Sequence, residues 1–295
     1  MKTTNTILVG IDYSENCRSA LREASRIANW NDAKLVCLHV LEEDAMHALR
    51  LTEEFEERTI RQQAHERLET YVGDTLAGGH DIDCRVHVGK PFAEVVTAIE
   101  LTKADLLVLG THGLASNDPG HVGPLARRCV RRLPINVLLV QERQQEPFSR
   151  IVAGIDFSDT SIKAAHLAAE IAVQDKATLE LLHIYRNAIN AARDGGGFGP
   201  SLPEVDTTEI VRELQEKLDG LAEELTVAHE GCEVRARVEE RGVVSKGIVE
   251  RLDELDVELA VIGTTGHSKL KDFFIGSTAE RLIYRVPCSV LAVKA

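Results

Sequence analysis

The chain is written twice, and that constrains its folding more than any other feature. Ile7-Leu8-Val9-Gly10-Ile11-Asp12-Tyr13-Ser14 returns as Ile151-Val152-Ala153-Gly154-Ile155-Asp156-Phe157-Ser158, 144 positions on. Leu35-Val36-Cys37-Leu38-His39-Val40 returns as Leu179-Glu180-Leu181-Leu182-His183-Ile184 at the same offset. Later landmarks, Gly110 with Gly263 and Pro134 with Pro287, are 153 apart. The nine extra residues are expected in the glycine-rich stretch 191–200, which reads as a loop. Each copy has roughly 150 residues, enough for a domain with its own core. The polar segment Gln141–Pro147 reads as the linker, giving domains at 1–144 and 145–295.

Within each copy, an apolar strand runs into a glycine motif. In the second copy Leu259-Ala260-Val261-Ile262 leads to Gly263-Thr264-Thr265-Gly266, nine residues, then Gly276-Ser277-Thr278 at a helix start. Glycines let the backbone approach a ligand, and a helix N-terminus offers free N–H groups, a combination that holds phosphate. Turn glycines before an ordinary helix cap are the competing explanation. The first copy reads Gly110-Thr111-His112-Gly113, nine residues, then Gly123-Pro124. Proline brings neither an N–H nor a hydroxyl, although it is comfortable at a first helical position. The intervening loop carries Asp118 where the second copy has Lys269 and Lys271, which either screen phosphate charge or are simply exposed. The second copy is therefore the expected main site.

Alternating strand and helix signals recur in the same order. Strands are expected near 6–11, 34–40, 82–88, 105–109 and 135–140, and near 150–155, 178–184, 232–239, 257–262 and 288–293. Helices are expected near 14–30, 52–77, 90–103 and 123–132, and near 158–174, 207–229, 243–255 and 276–285. Continuous apolar strands such as Leu106-Leu107-Val108-Leu109 suit a parallel sheet covered on both faces, hence an α/β doubly wound fold. Ligands of such sheets sit at the carboxyl ends of strands where the winding reverses. If the first and fourth strands are neighbours, Asp156 and Gly263 face one crevice.

Asp12 and Asp156 follow the first strand of each copy, where a carboxylate accepts hydrogen bonds from a ligand or caps the next helix, a role Ser158 can also fill. His39 and His183 have no ligand-spaced partners and read as structural; His112 and His121 either tune the first copy's site or are solvated. The formal net charge of −13 argues against nucleic acid or an anionic membrane as the main partner. Six cysteines at 17, 37, 84, 129, 232 and 288 form no C-x-x-C pair and are expected to be reduced. With no long apolar run and no signal-peptide pattern after Met1, the expected location is cytoplasmic. Walker, G-x-G-x-x-G and G-x-S-x-G patterns are missing, so no catalytic residue is assigned.

These residues resemble the universal stress protein family in a tandem, ATP-binding form. The resemblance rests on Gly263, Gly266, Gly276 and Ser277, on the Gly-Ile-Asp-Tyr/Phe-Ser openings, on Leu38-His39-Val40 and Leu182-His183-Ile184, and on the endings Pro134-Ile135-Asn136-Val137 and Pro287-Cys288-Ser289-Val290. It covers essentially the whole chain. It implies a five-stranded parallel sheet of order 3-2-1-4-5 in each domain, and ATP as ligand, with Mg or Mn held through the phosphates. Asp156 and the backbone at Ile184 would then meet the nucleoside, Gly263 and Gly266 the ribose and phosphates, and Gly276, Ser277 and Thr278 the phosphates. A nucleotide-dependent stress regulator is the resulting expectation. A slow ATPase or nucleotide-transfer enzyme, and an interaction module with relic sites, are the alternatives.

The resemblance further implies dimerisation through last strands, here within one chain as an internal pseudo-dimer, with a further homodimer possible through other surfaces. Val137-Leu138-Leu139-Val140 and Val290-Leu291-Ala292-Val293 are apolar and would otherwise be association-prone edges. Each repeat expressed alone should therefore self-associate, and Leu139→Glu or Leu291→Glu should block this in sedimentation velocity runs. Isolated repeats that are monomeric and as stable as the whole chain would refute it.

Overall fold

The computed structural model of the chain describes residues 4–51, 56–76, 82–113, 121–144, 147–187, 206–265, 276–284 and 286–295, except the side chain of Ser277. The chain divides into two compact units, Met1–Glu146 and Pro147–Ala295. The loop expected at 191–200 lies outside the described residues.

The first unit runs β1 (Thr6–Ile11), α1 (Glu15–Asn31), β2 (Lys34–Glu42), α2 (Glu43–Leu49), α3 (Glu57–Leu76), β3 (Ile82–Gly89), α4 (Pro91–Thr102), β4 (Leu106–Gly110), α5 (Pro124–Arg132) and β5 (Asn136–Val140). The second runs β6 (Arg150–Gly154), α6 (Asp159–Asp175), β7 (Thr178–Tyr185), α7 (Thr208–Ala228), β8 (Glu233–Glu240), α8 (Val244–Glu254), β9 (Leu259–Gly263), α9 (Ser277–Tyr284) and β10 (Ser289–Val293).

Within each unit the strands are parallel, in the order β3-β2-β1-β4-β5 and β8-β7-β6-β9-β10, which is 3-2-1-4-5 in both. Burial on both faces explains the apolar runs: Leu106, Leu107 and Val108 are each at most 1% exposed. Right-handed crossovers place α1 and α3 on one face of the first sheet and α4 and α5 on the other. The winding reverses between β1 and β4, and between β6 and β9. The crevice expected from the sequence therefore lies where β6 and β9 pair, with Gly154 opposite Ile262.

Local chemistry repeats as well. Ser14 and Ser158 cap α1 and α6 by accepting from Cys17 N–H at 3.1 Å and Ser161 N–H at 3.3 Å. Both helices end on a left-handed residue, Asp32 at φ 52° and Lys176 at φ 56°. Asp105 Oδ2 accepts from the N–H of Asn5 at 2.7 Å and of Thr6 at 3.1 Å, tying β4 to the start of β1. Glu258 does the same for β6 through the N–H groups of Ser149 and Arg150.

The structure differs from the sequence reading at the helix expected over 52–77. Its described part begins at Glu57, and a short helix, α2, precedes it directly after β2. The cysteines are all free thiols, and burial pushes Cys17 up to about 11 and Cys129 up to about 12. No described helix is long and apolar enough to cross a membrane.

A forked ion pair fastens α8 to the second sheet. Arg251 donates from Nε to Glu180 Oε1 at 2.8 Å and from Nη2 to Glu180 Oε2 at 2.9 Å, with side chains 17% and 13% exposed. Removing the guanidinium strands a largely buried carboxylate on β7. Arg251→Met should destabilise the second unit by about 3 kcal/mol in urea titration, toward the lower end for a broken buried pair. A loss below about 1 kcal/mol, as for a surface pair, would show that water already solvates Glu180.

Candidate functional site

The site begins where the first strand of each unit must turn into a helix that sits directly on the fourth strand. A Cβ added to Gly263 would lie 3.1 Å from Ser161 N and 3.2 Å from the Thr160 carbonyl carbon. At Gly110 it would lie 2.8 Å from Asn16 Cβ and 3.1 Å from Cys17 N. Helix packing thus leaves no room for a Cβ at Gly110 and little at Gly263, whatever else these glycines do. Gly113 answers to a different neighbour, since its Cβ would come 2.5 Å from Asp12 Oδ2. That contact brings the carboxylate after β1 and the loop after β4 together in the first unit. The matching Gly266, like Asp118, Lys269 and Lys271, lies outside the described residues.

The two ends of each glycine motif meet through the backbone. Gly276 N–H donates to Thr264 O at 2.7 Å, and Thr264 N–H to Val293 O at 2.9 Å. Gly123 N–H donates to Thr111 O at 2.8 Å, and Thr111 N–H to Val140 O at 3.0 Å. The nine-residue spacing therefore closes a loop that returns the chain to the end of β4 or β9 before the next helix starts. In the second unit that helix opens at Ser277, with Thr278 half-buried behind it.

Asp156 lies at the same place. Its Oδ1 accepts from Ser158 N–H at 3.0 Å and from the Ser158 hydroxyl. Ser158 is the helix cap, so Asp156 braces the cap. Thr265 connects this corner to the loop: its hydroxyl is 2.8 Å from Thr160 Oγ1, and its carbonyl oxygen lies 3.4 Å from Ser158 Oγ. Asp156, Gly263, Gly276 and the start of α9 therefore share one crevice. Ile184 is buried on β7, the strand next to β6.

The histidines are structural anchors. His183 Nδ1 lies 2.7 Å from Ile155 O and His39 Nδ1 2.8 Å from Ile11 O. A carbonyl only accepts, so Nδ1 carries the proton in both. Each ring contacts the aromatic residue after the aspartate, at 4.9 Å for Phe157 and His183 and 4.7 Å for Tyr13 and His39. Both aromatics have left-handed backbone, φ 62° and 66°. Sequence reasoning missed the cations above them: Arg67 on α3 stands 4.1 Å from the Tyr13 ring centroid and Lys217 on α7 5.4 Å from that of Phe157. They occupy like places in the two helices that precede the third strand of each unit, a signal visible only once the helices are aligned.

In the first unit the crevice opens into a cavity of about 950 Å³, walled by Asp12, Tyr13, His39, Arg67, Gly113 and Pro124 among others.

The architecture defines a class: two doubly wound domains in tandem, each with a glycine motif after its fourth strand. The Universal stress protein family model matches residues 3–141 and 147–294, and the chain belongs to that family. Universal stress protein A homolog 1 of Coxiella burnetii is 31% identical over 146 residues, 50% of this chain and 96% of that protein. A universal stress protein structure from Archaeoglobus fulgidus, 18% identical, aligns with a TM-score of 0.66 over 99% of both chains. Another from Archaeoglobus fulgidus, solved in complex with dAMP, is 23% identical and covers 50% of this chain and 99% of its own, with a TM-score of 0.36.

Burial lowers the His39 pKa from its ordinary 6.5; Arg67 acts in the same direction, and the Ile11 carbonyl and Asp12 oppose it. Below about pH 6.5 the unfolded chain therefore binds the proton first, and this contribution to stability is lost as pH falls toward the folded value. Thermal melts at pH 7 and pH 5 should show a smaller acid loss in His39→Asn, whose amide still donates to Ile11 O but does not titrate. An equal loss in both proteins would show that His39 is not the titrating group.

Proposed function

We propose that this universal stress protein is an ATP-binding regulator of the stress response, with its main nucleotide site in the second repeat. One observation carries the reading. The Gly276 N–H to Thr264 carbonyl bond puts the start of α9 at the crevice that already holds Asp156 and Gly263. The nucleoside would lie between Asp156 and the β7 backbone at Ile184. Gly263 and Gly266 would flank the ribose and phosphates, and Gly276, Ser277 and Thr278 would hold the phosphates through N–H and hydroxyl donors. A divalent ion, Mg or Mn, would be held through those phosphates. The ligand class comes from the family, whose members with the complete glycine pattern bind ATP.

Titration calorimetry with ATP should give one site per chain. Ser277→Ala should weaken ATP about ten- to a hundredfold, the worth of one hydrogen bond to a charged group, and weaken AMP less. Equal losses for the two nucleotides would place Ser277 away from the distal phosphates. A turnover of order one per second or faster, within the range of true enzymes, would replace the regulator reading with an ATPase.

A further inference from the structure

The two repeats keep one half of the crevice alike and build the other half oppositely. The shared half is the aspartate that braces the serine cap, the Nδ1-anchored histidine, the left-handed aromatic and the cation above it. The other half changes at three places. Pro124 and Leu125 stand where the second repeat has Ser277 and Thr278, removing one N–H and two hydroxyls from the helix start. Glu42, at the end of β2, stands where the second repeat has Arg186. Glu42, Pro124 and Leu125 all line the 950 Å³ cavity. A carboxylate repels a phosphate chain, and an apolar helix start gives it no side-chain donor, where a guanidinium and hydroxyls would attract it.

Polar side chains also line the cavity, among them Asp12, Tyr13, His39 and His112. Tyr13 Oη and His112 Nε2 are buried with no hydrogen-bond partner among the described residues. Thr111 Oγ1 lies 3.0 Å from both Asn16 Oδ1 and His112 Nδ1 and 3.4 Å from Gln141 Oε1, a network that holds the His112 ring.

We propose that the first repeat's cavity takes an unphosphorylated purine nucleoside and excludes the nucleotide. The ligand class rests on the nucleotide reading of the second repeat; the exclusion of phosphate rests on the first repeat alone. One chain would then sample a nucleotide and its dephosphorylated form at separate sites.

Adenosine titrated into the full chain at saturating ATP tests this by calorimetry. One adenosine should bind per chain, and Asp12→Asn, which keeps an acceptor for the Ser14 N–H, should weaken it about tenfold or more. Glu42→Arg combined with Pro124→Ser and Leu125→Thr should raise the ATP count from one to two and reduce ATP-resistant adenosine binding. No adenosine uptake beside ATP, two ATP sites in the unaltered chain, or no effect of either variant would each overturn the proposal. Its failure is distinguishable from that of the second-repeat reading. Asp156→Ala should abolish ATP binding and leave the Asp12-dependent adenosine site intact, whereas a chain that never binds ATP can still show that site.

Discussion

The first turn of α1 rests on the end of β4 so closely that a Cβ at Gly110 would overlap Asn16, and α6 rests on β9 in the same way at Gly263. Much of each crevice follows from that contact. A helix set down there leaves little chain in which to leave β1 or β6 and enter the helix. The turn is made by one residue with positive φ, Tyr13 or Phe157, between the aspartate and the serine cap. The aspartate then faces the loop that follows the fourth strand, where Asp12 Oδ2 meets Gly113. Close packing, chosen for the fold, thereby places a carboxylate, a glycine loop and a helix start at the point where the winding reverses.

Because that frame is backbone, it tolerates very different side chains at its rim. Gly123 N–H and Gly276 N–H make the same bond to the preceding threonine carbonyl, at 2.8 Å and 2.7 Å, although proline follows one and serine the other. Proline at a first helical position loses no intrahelical bond, so the loop can close without it. The first repeat can therefore give up phosphate donors without giving up its architecture, and its cavity persists. Charge reversal at the end of the second strand, Glu42 against Arg186, is equally free of structural cost because it falls where the strand ends.

The sheets were legible because fully buried parallel strands are unbroken apolar runs, and the strand order followed from the family resemblance. The pairing of β6 with β9 brings the ends of the first and fourth strands of the second unit side by side. What resisted reading was local and polar. The segment Glu43–Leu49 is helical immediately after β2, yet it offers only Met46 to the core and carries no side-chain cap at Glu42, so no periodicity announced it. Sequence spacing left Asp156 open between cap and ligand; Ser158 is the cap and Asp156 its brace, which the D-x-S spacing alone does not reveal. Arg67 and Lys217 were invisible because a cation over a ring depends on how α3 and α7 lie across the sheet, and no motif surrounds either residue. His39 and His183, which lack ligand-spaced partners in the sequence, bond through Nδ1 to the Ile11 and Ile155 carbonyls.

The aromatic at the turn carries one more implication. Left-handed backbone costs a non-glycine residue about 1–2 kcal/mol, and glycine would remove that strain. The ring offsets it through contacts, worth about 0.5–1.5 kcal/mol for an aromatic pair and about 0.5–1 kcal/mol for a cation above it. Tyr13 has His39 at 4.7 Å, Tyr71 at 5.2 Å and Arg67 at 4.1 Å, while Phe157 has His183 and Lys217. For Phe157 the contacts and the strain nearly balance, whereas Tyr13, with a second ring beside it, gains more than the strain costs. The presence of an aromatic in both units, one with phosphate donors and one without, ties it to the half of the crevice the repeats hold in common. A rigid ring pinned between a histidine and a cation makes a fixed wall beside the aspartate, and a fixed wall spares a bound ring system the entropy of ordering its own pocket.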